Sequence, residues 1–277
     1  HQYLMVASNF LNNTAGYINT GTWSEKAIAE AKFYGKVIEV ASSKDKNHTY
    51  IPKEIKISSD LDYLHITSNN TIFGSQFHEF PKTDSPLIAD MSSDIFSRKI
   101  DFSKFDLIYA GAQKNIGAAG VTMVIIKKEL LKKNKRKIPS ILSYQNHIDK
   151  QSLYNTPPVF SIYTCLINMD WIIKSGGIEV IEKQNIEKAK LLYNEIDNND
   201  AFYGFVNNSD RSNMNVTFGI NKNYNSEKFN EMCLKNNIHG INGHRSVGGF
   251  RVSLYNAISI NSVKILVEIM QKFNKEG

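Results

Sequence analysis

The sequence predicts an α/β fold built on a largely parallel sheet, and three observations carry that expectation. Short apolar runs recur, each ending in small or polar residues. A helical stretch separates the first two runs, as a crossover between parallel strands requires. The chain, at 277 residues, is also long enough to bury a real core in one large domain or two smaller ones.

Taken in order, "AGYINTGTW" (15–23) reads as a first buried strand whose C-terminal end turns polar. "SEKAIAEAKFYG" (24–35) follows as a helix, with a Ser cap, apolar spacing and a closing Gly. "LDYLHITSNNT" (61–71), "SPLIADMSS" (85–93) and "FDLIYAGAQK" (105–114) supply three further strands. Strands of this kind are covered by helices on both faces. A helix containing "NMDWIIKSGG" (168–177) ends a large domain spanning residues 1 to about 180. From 181 onward, a linking helix "IEKQNIEKAKLLYNEI" (181–196) leads into a smaller α/β domain, residues 181–277. The Asn-rich stretch "GINKNYNSEKFN" (219–230) reads as loop with a composition bias.

Composition narrows the function classes. Cys165 and Cys233 form no CxxC, so they read as core thiols in a reducing compartment rather than as a disulfide or zinc framework. No run reaches the roughly 20 apolar residues of a membrane span. The expectation is a soluble, cytoplasmic protein. The net charge of +6 raises the question of nucleic acid, but the densest basic run, "KKELLKKNKRK" (127–137), holds no aromatics to stack bases. It reads as a solvated helix face, and the charge suits a pocket that attracts small anions. Neither nucleic acid nor membrane is expected as a partner.

In open sheets, ligands sit beyond the carboxyl ends of the strands. Each predicted strand delivers one residue there: Trp23, Thr71, Asp90 and Lys114. Singly these read as a core aromatic, a turn Thr, a cap Asp and a surface Lys. Together they are an aromatic plate, a hydroxyl, a carboxylate and an amine, the set that pyridoxal phosphate requires for its ring, its pyridine nitrogen and its aldehyde. Lys114 stands among Ala110, Gly111, Ala112, Gly117, Ala118, Ala119 and Gly120, which read as space for a ring to approach the backbone. Desolvation there would favour the neutral, nucleophilic amine.

The blocks "ADMSSDIFSRKIDFSKFDLIYAGAQKNIGAAGVTMVII" (89–126), "TSNNTIFGSQFHEFP" (67–81), "SLYNTPPVFSIY" (152–163), "SDRSNMNVTF" (209–218) and "GHRSVGGFRVSLYNA" (243–257) closely resemble the phosphoserine aminotransferases. These are fold type I, class-V-type enzymes dependent on pyridoxal phosphate, and the resemblance runs from the first residues to the C-terminus. It implies Lys114 as the cofactor's covalent lysine, Asp90 as partner of the pyridinium nitrogen, Trp23 as the stacking aromatic and Thr71 as a hydroxyl near the ring oxygen. Gln113 would contact the cofactor phosphate. Asn155 and Thr156 would reach the phosphate of a neighbouring subunit, which implies a homodimer with shared active sites. Arg251 would hold the substrate α-carboxylate, while His244 and Arg245 would help hold its distal anion. On its own, "INGHRSVGGFR" (241–251) fits neither a P-loop nor a dinucleotide fingerprint. Its arginines suit a carboxylate or phosphate gripped by paired hydrogen bonds.

The implied reaction transfers the amine of L-glutamate to 3-phosphohydroxypyruvate, giving 3-phosphoserine and 2-oxoglutarate in serine biosynthesis. A phosphorylated threonine analogue used in making pyridoxal phosphate is a further candidate substrate. The family also carries an earlier segment with a His-Arg pair and a Gly-Gly phosphate loop, whereas this chain opens at "HQYLMVASNFL", which resembles the helix after that loop. A chain truncated at its N-terminus is therefore expected. Two alternatives remain at this point. Another transaminase or lyase of the same fold should lack the "GHRSVGGFR" cluster, and an inactive protein with a basic binding surface should bind no cofactor at Lys114.

Overall fold

The computed structural model describes residues 1–55, 57 and 60–276. In chain order its principal elements are α1 (Gln2–Phe10), β1 (Thr14–Asn19), α2 (Thr22–Ala31), β2 (Lys36–Ser42), β3 (Tyr63–Thr67), β4 (Leu87–Asp90), β5 (Leu107–Gly111) and β6 (Thr122–Ile126). There follow α3 (Lys128–Leu131), α4 (Tyr144–Asp149), α5 (Val159–Lys174), α6 (Ile178–Asn198), β7 (Phe202–Gly204), β8 (Asn215–Ile220), α7 (Ser226–Lys235), β9 (Phe250–Ser253) and α8 (Ile260–Glu276).

Strands β1 to β6 form one sheet in the order β2-β1-β3-β4-β5-β6. Neighbours pair in parallel except β6, which runs antiparallel to β5 at the edge. The period of two sends alternate residues into two cores. Tyr17, Tyr63, Ile88 and Tyr109 join α1 and α2 on one face, whereas Ile18, Leu64, Ala89 and Ile108 join Met91, Ile116 and Cys165 on the other. A second sheet, β7-β8-β9, is antiparallel, and a third core joins it to α6, α7 and α8 through Leu192, Phe218, Phe229 and Phe273.

The four predicted strands are present as β1, β3, β4 and β5. Three local expectations are corrected. The helix expected over 24–35 is α2 and begins at Thr22, two residues before its predicted Ser cap; Gly21 is the N-cap, and buried Ser24 instead accepts the Thr20 N–H at 3.1 Å. That helix ends at Ala31 with Lys32 as cap, and Gly35 leads into β2, which the sequence reading left unassigned. The basic run 127–137 is helical only over Lys128–Leu131, and Arg136 is tied down by bonds to the carbonyls of Leu11 and Tyr34, both at 2.8 Å. Within the Asn-rich stretch, residues 226–230 open α7, and Asn225 caps that helix by accepting from the N–H of Glu227 and Lys228. Free Cys165 and Cys233 are both buried in cores, as expected.

Candidate active site

Register places the chemistry. Thr67 pairs with Asp90 and Asp90 with Tyr109, so the last residues of β3 and β4 share a face at the carboxyl edge of the sheet. A cavity of about 110 Å³ opens there, lined by Tyr3, Trp23, Thr67, Asn69, Asp90, Ser92, Ser93, Gln113 and Lys114. Four of the predicted residues thus meet in one slot.

Asp90 lies on its floor, 6% exposed. The Ser92 N–H donates to its Oδ1 at 2.9 Å and the Tyr3 hydroxyl to its Oδ2 at 3.3 Å. Burial pushes the Asp90 carboxyl above the usual carboxylate range, while Ser92, Lys114 and Tyr3 pull it back. Lys114 makes no hydrogen bond or ion pair among the described residues. Burial lowers its pKa, Asp90 and Asp94 oppose that, and Arg251 adds to it. The slot therefore holds an amine and a carboxylate, each pushed toward its neutral form.

Thr71 is not in the lining but stands behind it. Trp23 donates its Nε1 hydrogen to Thr71 Oγ1 at 3.0 Å, and Arg251 donates to the Thr71 carbonyl at 3.1 Å. A single residue thereby links the aromatic on α2 to the arginine on β9. Trp23 itself sits in the first turn of α2 rather than at a strand end. Lys114 follows β5 by three residues, in the turn where Ile116 and Gly117 donate back to Ala112 O.

The small residues around Lys114 have a different role from the predicted one. None of them lines the cavity. A Cβ on Gly117 would lie 2.8 Å from the backbone nitrogen of Cys165, and the Ala118 N–H donates to Thr164 Oγ1 at 3.0 Å. Gly117 and Ala118 let the lysine turn pack directly on α5.

The remaining predicted residues are not gathered here. His244 is partly buried and Arg245 exposed, in a loop where His244 Nδ1 bonds Ser246 Oγ at 2.7 Å. The next two residues, Ser246 and Val247, line a separate cavity of about 630 Å³ with His48, Phe73 and Tyr203. Asn155 and Thr156 are exposed just before α5 and do not face this slot. Conversely, the sequence reading missed Tyr3, Thr67, Asn69, Ser92 and Ser93. Thr67 was accessible from strand periodicity, since it is two residues beyond His65 and opposite Asp90; Tyr3 had no local signal.

A sheet with a buried carboxylate and a desolvated lysine at its carboxyl edge defines a class, and the comparisons with known proteins agree. A family model described as Aminotransferase class-V matches residues 7–266. A phosphoserine aminotransferase of Flavobacterium psychrophilum is 53% identical over 277 residues, covering 99% of this chain and 78% of the relative. The solved phosphoserine aminotransferase of Bacillus circulans subsp. alkalophilus superposes with a TM-score of 0.96 at 42% identity, covering 99% of this chain and 78% of that one. A phosphoserine aminotransferase of Trichomonas vaginalis, solved with pyridoxal phosphate bound, superposes at 0.91 with 36% identity, over 98% and 79% of the two chains. This chain belongs to the class-V aminotransferases and, within them, to the phosphoserine aminotransferase family.

The slot suits pyridoxal phosphate on its own chemistry. Thr67 Oγ1 is buried with no hydrogen-bond partner among the described residues, and it borders the cavity. Buried polar groups are rarely left so. Asp90 is buried without a cation in hydrogen-bond contact, which a protonated ring nitrogen would supply.

Proposed function

We propose that this chain transfers the amine of L-glutamate to 3-phosphohydroxypyruvate, forming 3-phosphoserine and 2-oxoglutarate. The observation that carries the reading is the pairing of Asp90 and Lys114 in one slot beside Trp23. Pyridoxal phosphate, when bound, supplies an electron-withdrawing pyridine ring and an aldehyde carbon that exchanges amine partners.

The chain's own residues then have defined tasks. Asp90 would hold a proton on the ring nitrogen, and its hydrogen bonds from Ser92 and Tyr3 offset part of the burial that favours its neutral form. Lys114 Nζ would be the covalent attachment point; once displaced by substrate, it would take the proton from the substrate Cα and deliver it to the cofactor's former aldehyde carbon. Its lowered pKa raises the share of neutral amine that can act as base. Trp23, held by Thr71, would cover the ring. Gln113 would contact the cofactor phosphate. Arg251 grips the α-carboxylate through paired hydrogen bonds. His244 and Arg245 hold the distal phosphate or carboxylate.

The reading includes a homodimer, and α5 supports it. Val159, Phe160, Tyr163, Leu166, Ile167 and Ile173 are all exposed, at 50% to 74%. A continuous apolar face of this kind marks an interaction surface. Asn155 and Thr156 are exposed beside it, and in this reading they would reach a second copy's cofactor phosphate. The large domain is read as 1–180 and the small as 181–277, with the protein working in the cytoplasm. No helix among the described residues is long and apolar enough to cross a membrane.

A coupled assay with 3-phosphoserine and 2-oxoglutarate tests the reaction: glutamate should form in proportion to enzyme, and none formed would sink the specific reading. The phosphorylated threonine analogue in the same assay decides whether the chain also serves pyridoxal phosphate biosynthesis.

A further inference from the structure

Helix α6 carries a buried cation that the proposed chemistry does not use. Lys188 is 1% exposed and has no carboxylate partner among the described residues. Its Nζ donates to two backbone carbonyls, Leu254 at 3.1 Å and Tyr255 at 3.0 Å. Burial brings its pKa down to about 8. A buried ammonium is costly to hold without a partner, so its two acceptors are what fixes it in place.

One turn earlier on the same face, Asn185 donates to Asn256 Oδ1 at 2.8 Å and to the Ser97 carbonyl at 2.9 Å. Asn256 extends the connection. Its Nδ2 donates to the Phe96 carbonyl at 2.8 Å, and its backbone N–H donates to Asn115 Oδ1 at 3.1 Å. Asn115 directly follows Lys114. The turn 254–256 directly follows β9, which carries Arg251. One buried junction therefore joins α6, the end of the arginine strand and the lysine turn.

We propose that Lys188 and Asn185 are positioning residues, which fix the turn 254–256 from α6 and so hold Arg251 in register with Lys114 for the substrate α-carboxylate. The inference rests on the proposed role of Arg251. Neither side chain touches substrate; both act through backbone. Paired hydrogen bonds between a guanidinium and a carboxylate tolerate little displacement, so loosening this junction weakens substrate binding more than the proton transfer at Lys114.

The test uses the holoenzyme. Lys188→Met removes the ammonium at similar volume, and Asn185→Ala is read in its place if that variant does not fold. Calorimetric titration with 2-oxoglutarate and steady-state kinetics with L-glutamate should show Kd and KM raised about tenfold, with kcat within about threefold. In an Arg251→Ala background the same substitution should change Kd little, because its effect passes through Arg251. A wild-type Kd in the folded variant would overturn the proposal, as would a full tenfold effect persisting without Arg251. Failure of the transaminase reading would appear elsewhere, as no turnover in the wild-type protein, and the ratio of Kd values would still decide the role of Lys188.

Discussion

The Tyr3 hydroxyl donates to Asp90 Oδ2 at 3.3 Å, joining the first helix of the chain to the carboxylate at the carboxyl edge of the sheet. Tyr3 also packs edge-on against Tyr109, with ring centroids 6.2 Å apart. Burial, and then the Asp90 charge, raise the phenol pKa well above its ordinary value, so Tyr3 keeps the proton that it donates to Asp90. Hydrogen bonds to a charged group contribute about 1.5–3 kcal/mol, and a bond this long falls near the lower end. Tyr3→Phe should therefore weaken pyridoxal phosphate binding by roughly tenfold, read by quenching of tryptophan fluorescence. Unchanged affinity at neutral pH would show that Asp90 does not depend on Tyr3.

Lys114→Ala should lower kcat by at least about 10³-fold, since positioned proton transfer contributes 10²–10⁴ and the covalent attachment is lost as well. Cofactor should still bind, held by Asp90 and Trp23, so absorbance and activity separate in this variant. Near-normal turnover would refute the assignment of Lys114.

Acid stability should depend on His65. It is wholly buried, with Nε2 bonded to the Tyr109 hydroxyl at 2.9 Å, and burial lowers its pKa to about 3. The folded pKa lies below the unfolded value, so the unfolded chain takes up the proton first as pH falls. The contribution is full above about pH 6.5 and is lost progressively between there and pH 3, on the order of 5 kcal/mol in all. His48 and His78 shift in the same direction through burial. His65→Gln should thus flatten, without abolishing, the fall in urea midpoint between pH 6.5 and 4.5. An unaltered slope would contradict this account of the buried histidine.

The exposed face of α5 should govern assembly. Phe160 is 74% exposed, and covering such a side chain contributes about 2 kcal/mol in each protomer. Phe160→Glu should raise the dissociation constant of the proposed dimer by roughly 10³-fold, visible by sedimentation velocity at micromolar concentration. A dimer that survives this change unaltered would place the interface elsewhere.

Much of this was legible in the sequence, for physical reasons that also explain the omissions. β3, β4 and β5 are buried on both faces, so β4 and β5 read as unbroken apolar runs ending at Asp90 and near Lys114, and β3 as one interrupted only by His65. β2 carries Lys36 and Glu39 at the sheet edge and lacks that signature, whereas edge strand β6 carries the apolar run 123–126. Trp23 was assigned to the right pocket but to the wrong element, because Gly21, with φ of 147°, turns the chain into α2 earlier than a Ser cap implied. Lys188 lay unnoticed within a charged helix. Its position was nonetheless readable, since Ile181, Asn185, Lys188, Ala189, Leu192 and Ile196 follow helical spacing and form the buried stripe of α6. Tyr3 reaches Asp90 across 87 positions, and contacts at that separation leave no trace in local pattern.

The central claim is that Lys114 is the covalent seat of the cofactor. Borohydride reduction of the protein loaded with pyridoxal phosphate, followed by peptide mass analysis, tests it most directly. The added mass should appear on the peptide containing Lys114, and prior incubation with L-glutamate should abolish it. Label on another lysine, or none on Lys114 in a folded, cofactor-loaded protein, would contradict the account.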